Sequence, residues 1–149
     1  MDTKKTIFIG SDHGGFLLKK YLIHQLNINY GDNIIDIGCF TQESVDYPDI
    51  AHTLSNQLKD QSNQLGILIC GTGIGISIVA NRYNHIRCGL CNDIEMAEMT
   101  RKHNNANCLA LGGRKISNED GYSIVKTFLE TEFEGGRHLT RINKINSNN

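Results

Sequence analysis

Gly66-Ile-Leu-Ile-Cys-Gly-Thr-Gly-Ile-Gly-Ile-Ser77 is an apolar run that closes on a cysteine and empties into three alternating glycines. The pattern predicts a buried strand, a tight turn and then a helix. Gly71, Gly73 and Gly75 can adopt backbone conformations closed to other residues, so successive amides of this loop, that of Ile74 included, can converge on one anion. Cys70 stands at the rim of that cradle as a candidate carbon-acid base or nucleophile. A buried structural cysteine beside a packing turn is the plainer reading of the same residues. A dinucleotide fingerprint fits less well. Ile76 occupies the place of its third glycine, and the motif follows the third strand-like run instead of the first, although Asp93 does lie 20 residues beyond Gly73.

Four more apolar runs of strand length flank this one: Thr6–Gly10, Ile34–Gly38, Arg87–Cys91 and Asn107–Leu111. Helical periodicity fills the intervals, with Phe16, Leu17, Tyr21 and Leu22, then Ile50, Leu54 and Leu58, then Ile76, Val79 and Ala80, then Met96, Ala97 and Met99, then Ile124, Val125, Phe128 and Leu129. Five strands alternating with helices predict an α/β domain with a parallel sheet covered on both faces. Ligand sites in such sheets form outside the carboxyl ends of the strands. There the sequence places Ser11-Asp12-His13-Gly14-Gly15, the Cys70 loop and Gly112-Gly113-Arg114.

At 149 residues the chain fits one domain with a sizeable core. A formal net charge of −1 offers no electrostatic case for a nucleic-acid or anionic-membrane partner. The cysteines, at 39, 70, 88, 91 and 108, are odd in number and sit mostly in apolar runs, which suits reduced thiols in a cytoplasmic setting. Cys88 and Cys91 form a lone C-x-x-C, but three residues apart on a strand they face opposite sides, so core packing is expected and a metal site is not. No apolar stretch approaches the roughly 20 residues of a membrane span, and the opening Met-Asp-Thr-Lys-Lys has no signal-peptide character. Residues 146–149 are expected to be disordered.

In Glu134-Gly-Gly-Arg-His-Leu-Thr-Arg141 a helix begun after the glycines would set Arg137 and Arg141 on one face with His138 beside them, free of neighbouring acids. Two guanidinium forks and an imidazole suit a phosphate, and segment 135–145 is expected to complete an anion site. Asp12 reads as an N-cap or as a catalytic acid, and His13 as an anion ligand at the following helix. His103, just before Asn104, closes a helix and in isolation reads as a complement to its dipole. His24, His52 and His85 read as surface or packing residues.

Taken together, Ser11-Asp-His-Gly-Gly-Phe16, Asp46-Tyr-Pro48, the Gly66–Ser77 stretch, Arg101-Lys-His-Asn104 and Glu134-Gly-Gly-Arg-His138 closely resemble, in order and spacing, the sugar-phosphate isomerase family that contains type B ribose-5-phosphate isomerases and galactose-6-phosphate isomerase subunits. The resemblance runs from about Lys5 to Ile145. It implies a three-layer α/β/α, Rossmann-like single domain and a cofactor-free aldose–ketose isomerisation. It further implies dimers or tetramers of one chain, with active sites shared between subunits. By the same resemblance Cys70 is the base that moves a proton between C1 and C2, and Asp12 and His103 open the sugar ring. Thr72 orients the substrate, the amides of Gly71, Gly73, Ile74 and Gly75 meet the enediolate, and Asn104 joins the substrate-binding set. His13, Arg114, Arg137, His138 and Arg141 hold the phosphate. A five-carbon substrate is the first expectation, a six-carbon phosphate the alternative within the family, and a non-catalytic sugar-phosphate or nucleotide-binding module the alternative outside it.

Overall fold

The computed structural model describes residues 5–31, 33–59 and 63–147. The elements run β1 (Thr6–Ser11), a 3-10 turn (His13–Gly15), α1 (Phe16–Tyr30), β2 (Ile34–Asp36), α2 (Tyr47–Gln57), β3 (Gln64–Cys70), α3 (Ile74–Ala80), β4 (Cys88–Leu90), α4 (Ile94–Lys102), β5 (Cys108–Gly112), α5 (Asn118–Glu130) and α6 (Arg137–Ile142). The five strands form one all-parallel sheet in the order β2-β1-β3-β5-β4. β3 lies at its centre. All five runs identified from the sequence are strands, displaced by one or two residues at their ends.

Period-2 alternation divides the strand side chains between two cores. Ile7, Ile9, Leu65, Ile67, Ile69, Leu109 and Leu111 face α1, α4 and α5, burying Leu22, Leu26, Ala97, Val125 and Phe128. Phe8, Leu68, Cys70, Cys108 and Ala110 face α2 and α3, against Ala51, Leu54, Leu58, Ile76 and Ala80. The result is the three-layer sandwich expected of a parallel sheet, with near-continuous apolar strands because both faces are covered. Cys91 joins the first core and Cys88 packs on the second, so the C-x-x-C pair does face opposite ways. Burial pushes the Cys91 thiol up to about 12.

Two helical stripes differ from the sequence expectation. In α1 the buried line is Leu18, Leu22 and Leu26, spaced by four, whereas Leu17 is 65% exposed. The reason is Lys19, a fully buried side chain on that face whose Nζ donates to Asp36 Oδ1 at 2.6 Å and to the Cys39 carbonyl at 2.5 Å. A charge that finds two such acceptors can share a core-facing stripe. In α4 the buried residues are Ala97 and Arg101, and Met96 is exposed. Arg101 donates to the carbonyls of Thr131 and Ala106 and to Asn105 Oδ1, which pins the segment entering α6 against the end of α4.

At the carboxyl end Asn146, expected in a loose tail, donates to the Asn84 carbonyl at 2.7 Å. Residues 148 and 149 of that expected tail lie outside the described residues. Among the described residues no helix is long and apolar enough to cross a membrane.

Candidate active site

The three turns picked out from the sequence do meet at the carboxyl edge of the sheet. β3 lies between β1 and β5, so its last residue, Cys70, has a turn on either side. Asp12 N–H donates to the Ile69 carbonyl at 3.1 Å, Gly113 N–H to the Cys70 carbonyl at 2.7 Å and Arg114 N–H to the Gly71 carbonyl at 3.0 Å. A Cβ added at Gly113 would stand 2.7 Å from the Gly14 carbonyl oxygen, and one at Gly14 would stand 3.1 Å from the Gly71 amide nitrogen. Only glycine lets these backbones come so close.

Within the Cys70 loop, Gly73 takes a φ of +80° and turns its N–H back onto Cys70 Sγ at 3.1 Å. Ile74 N–H is capped by Thr72 Oγ1 at 3.2 Å. The expected cradle of loop amides is therefore narrower in this structure. Two of them serve the loop itself, and among the described residues those of Gly71, Thr72 and Gly75 have no protein acceptor. Cys70 is buried, with its sulfur oriented by the Gly73 amide. Arg114 lies over Gly71, its Nη1 3.3 Å from where a Cβ there would be.

Asp12 caps the 3-10 turn, its Oδ1 accepting from Gly14 N–H at 2.9 Å and Gly15 N–H at 3.2 Å. The plain N-cap reading is thus realised at Oδ1. His13 Nδ1 accepts from Val45 N–H at 3.2 Å, so the neutral ring carries its proton on Nε2. The loop that supplies Val45 is held at its root by Lys19, and it leads into Tyr47, whose ring covers Gly75. A Cβ there would come within 2.6 Å of Tyr47 Cε1. The Asp46-Tyr-Pro48 motif enters the family resemblance without a site role for Tyr47. The signal for Tyr47 was its place in that motif, and for Lys19 there was none.

The remaining site residues lie elsewhere in the chain. α4 runs back along the sheet, so His103 at its end sits near the strands' amino edge, where Arg87, just before β4, donates to the carbonyls of Asn104 and Asn105. Cys88 at the start of β4 pairs in register with Cys108, and Cys108 with Gly66, four residues before Cys70. At about 3.3 Å per residue the Cys70 edge is roughly 13 Å further along. His103, Asn104, His138 and Arg141 line one cavity of about 300 Å³ with Ile142 and Ile145. The rings of His103 and His138 stack with centroids 4.3 Å apart. Glu134, whose N–H donates to the Lys102 carbonyl at 3.1 Å, reaches to 3.8 Å from His138 Nε2, so the basic face is not free of acids as expected. Burial, and then the neighbouring His103 and Arg137, push the His138 imidazole below its ordinary value. One chain therefore brings together Asp12, His13, the Cys70 loop and Arg114, and separately His103, Asn104, His138 and Arg141.

The family model described as Ribose/Galactose Isomerase matches residues 7–145. The chain belongs to that family. It is 46% identical over 139 residues to a putative sugar phosphate isomerase of Rickettsia typhi, covering 93% of this chain and 96% of that one. To ribose-5-phosphate isomerase B of Escherichia coli it is 40% identical over 141 residues, covering 95% and 94%. Among solved structures, the ribose 5-phosphate isomerase of Thermotoga maritima superposes with a TM-score of 0.90 at 46% identity, covering 95% of this chain and 97% of that one. Ribose-5-phosphate isomerase B of Mycoplasma genitalium with bound ribulose-5-phosphate superposes with a TM-score of 0.91 at 39% identity, covering 97% and 95%. The chain is thus a sugar-phosphate isomerase of this family, with the family's Rossmann-like fold.

Proposed function

We propose that the chain interconverts ribose 5-phosphate and ribulose 5-phosphate, with Cys70 as the proton-transferring base. The observation that carries this reading is the thiol at the end of the central strand, oriented by the Gly73 amide and facing a loop that contains no carboxylate. Aldose and ketose differ by the position of one hydrogen pair. The sulfur takes the proton from C2 and returns it to C1, while the C2 hydroxyl proton passes to the C1 oxygen. Negative charge develops on oxygen in between, and the unengaged amides of Gly71, Thr72 and Gly75 are donors for it. Thr72 orients the substrate beside them. Ring opening precedes this step and needs an acid and a base, the roles given to Asp12 and His103. His13 and Arg114 contact the phosphorylated sugar from the Cys70 side, and Arg137, His138 and Arg141, with Asn104, from the other.

Because His103 and the α6 arginines lie at the opposite edge from Cys70, a complete site needs these residues from a second copy of the chain. The choice of a five-carbon substrate is supported by the relatives named for ribose 5-phosphate and by the bound ribulose-5-phosphate of the Mycoplasma protein.

The test pairs purified protein with ribose 5-phosphate, galactose 6-phosphate and allose 6-phosphate, and follows exchange of the C2 hydrogen with deuterated solvent. Turnover and exchange on ribose 5-phosphate, both abolished in Cys70→Ala, are expected. A clear preference for either six-carbon phosphate would overturn the substrate assignment, and exchange surviving in Cys70→Ala would overturn the assignment of the base.

A further inference from the structure

His103, Glu134 and His138 each offer one ligand atom, and these atoms all lie within 4.8 Å of one another. They come from the end of α4 and from the Gly-Gly turn that starts α6, so no spacing in the sequence announces them. We propose that this trio binds one divalent transition-metal ion of the zinc class.

His138 is 5% exposed, and its Nε2 has no hydrogen-bond partner among the described residues. A buried ring nitrogen left in that state needs a missing partner, and an ion or a water is the usual one. Glu134 Oε1 lies 3.8 Å from His138 Nε2, too far for a hydrogen bond. That is close to the spacing of two ligands on a common metal, which for bonds of about 2.0–2.1 Å in a tetrahedron is roughly 3.3 Å. Two imidazoles and one carboxylate are also the donor set that such an ion prefers. The backbone already holds the three together, through Glu134 N–H to the Lys102 carbonyl and His138 N–H to the Gly135 carbonyl.

Glu134 is the most telling member. A carboxylate beside a phosphate cluster works against an anionic substrate, whereas beside two histidines it supplies the negative charge a cation needs. The cost is set by Arg137 and Arg141, which face the same region, Arg141 from within the shared cavity. Closure needs movement too, because the histidine rings are stacked and their in-plane lone pairs do not yet converge. His103 at the helix end and the mostly exposed Glu134 are the members free to turn.

If His103 opens the sugar ring, as the proposed function has it, a metal held here withdraws that histidine and inhibits the enzyme. The binding test does not depend on that reading. Chelator-treated protein is titrated with Zn²⁺ by calorimetry and with Co²⁺ by visible absorption, without substrate. One ion per chain is expected, weakened at least about tenfold in Glu134→Gln, since loss of a ligand costs no less than loss of an outer-shell partner. His138→Asn should weaken it similarly, and Cys70→Ala should leave it intact. Glu134→Gln, altered at an exposed side chain, serves even if His138→Asn fails to fold. An affinity within about twofold of wild type in Glu134→Gln, or loss of binding in Cys70→Ala, would sink the proposal. Zn²⁺ should also inhibit the wild-type enzyme, and Glu134→Gln, fully active in chelator, should resist it. Binding at the trio with undiminished turnover would keep the metal site and remove His103 from ring opening.

Discussion

Replacing Gly73 with alanine separates the backbone requirements of the loop from its chemistry. Gly73 has a φ of +80°, and a Cβ there would stand 2.6 Å from Leu90 Cδ1 and 2.8 Å from the Leu111 carbonyl carbon. The left-handed conformation costs an alanine about 1–2 kcal/mol. Overpacking against the backbone of β5, which cannot swing aside, adds about 1–3 kcal/mol. The sum, about 2–5 kcal/mol, is a large share of a typical stability of about 5–15 kcal/mol. Urea unfolding followed by far-ultraviolet circular dichroism at one fixed protein concentration should show it. With a slope of about 2 kcal/mol per molar, the midpoint falls by roughly 1–2.5 M. Gly75→Ala is the contrast. The atoms nearest its Cβ belong to the ring of Tyr47, which is partly exposed and can swing, and the gain in helix propensity of about 0.8–1 kcal/mol offsets the contact. A Gly73→Ala midpoint within about 0.3 M of wild type, at unchanged slope, would refute the reasoning. Any surviving Gly73→Ala protein should also turn over more slowly, since the amide that orients Cys70 Sγ has moved.

Among the described residues, Lys19→Met leaves Asp36 with only the Gly38 N–H and partial access to water, for a loss of about 1–3 kcal/mol in chemical denaturation, less than for a fully buried pair. Lys19→Met combined with Asp36→Leu should recover part of it, a coupling that a double-mutant cycle measures. Arg141→Ala should raise KM for the phosphorylated sugar by a factor of roughly 10–100, the loss of one charge-assisted contact, with kcat changing less. Cys91, raised by burial from an ordinary value near 9 to about 12, stays neutral in the fold while the unfolded thiol ionises. Its stabilising contribution is therefore full below pH 9 and lost as pH climbs toward 12, and Cys91→Ala should flatten that part of the stability profile.

The sheet was legible because its strands are buried on both faces and bounded by turn residues, so apolar runs alone located all five. The site's carboxyl-edge half was legible for a related reason. Gly73 and Gly113 are required by backbone approach, and such requirements leave a residue-type signature. Lys19 leaves none, since a lysine on an amphipathic helix reads as solvated until Asp36 and the Cys39 carbonyl are seen beneath it. The same blindness put Leu17 in the core and hid Glu134's approach to His138, which depends on the angle at which the Gly135-Gly136 turn delivers α6. Local pattern reports what a residue could do, and its partner across the fold decides what it does.

The division of the proposed site also constrains how two copies meet. One chain presents Cys70, Asp12 and Arg114 at the carboxyl edge and His103, His138 and Arg141 at the other, so a contact that joins one half to its complement is between unlike surfaces. Repeated head to tail, that contact would build a filament; closed by a two-fold axis, each chain gives one half and receives the other, and two sites form at once. Mixing separates the cases from a self-sufficient chain. Inactive Cys70→Ala and His103→Ala proteins, co-refolded in equal amounts, pair at random, so about half of the dimers are hybrids and each holds one intact and one doubly damaged site. About a quarter of wild-type activity should return. Activity that stays at background while native mass spectrometry shows hybrids would mean that both residues serve a site within one chain, and the two-edge assignment would fall.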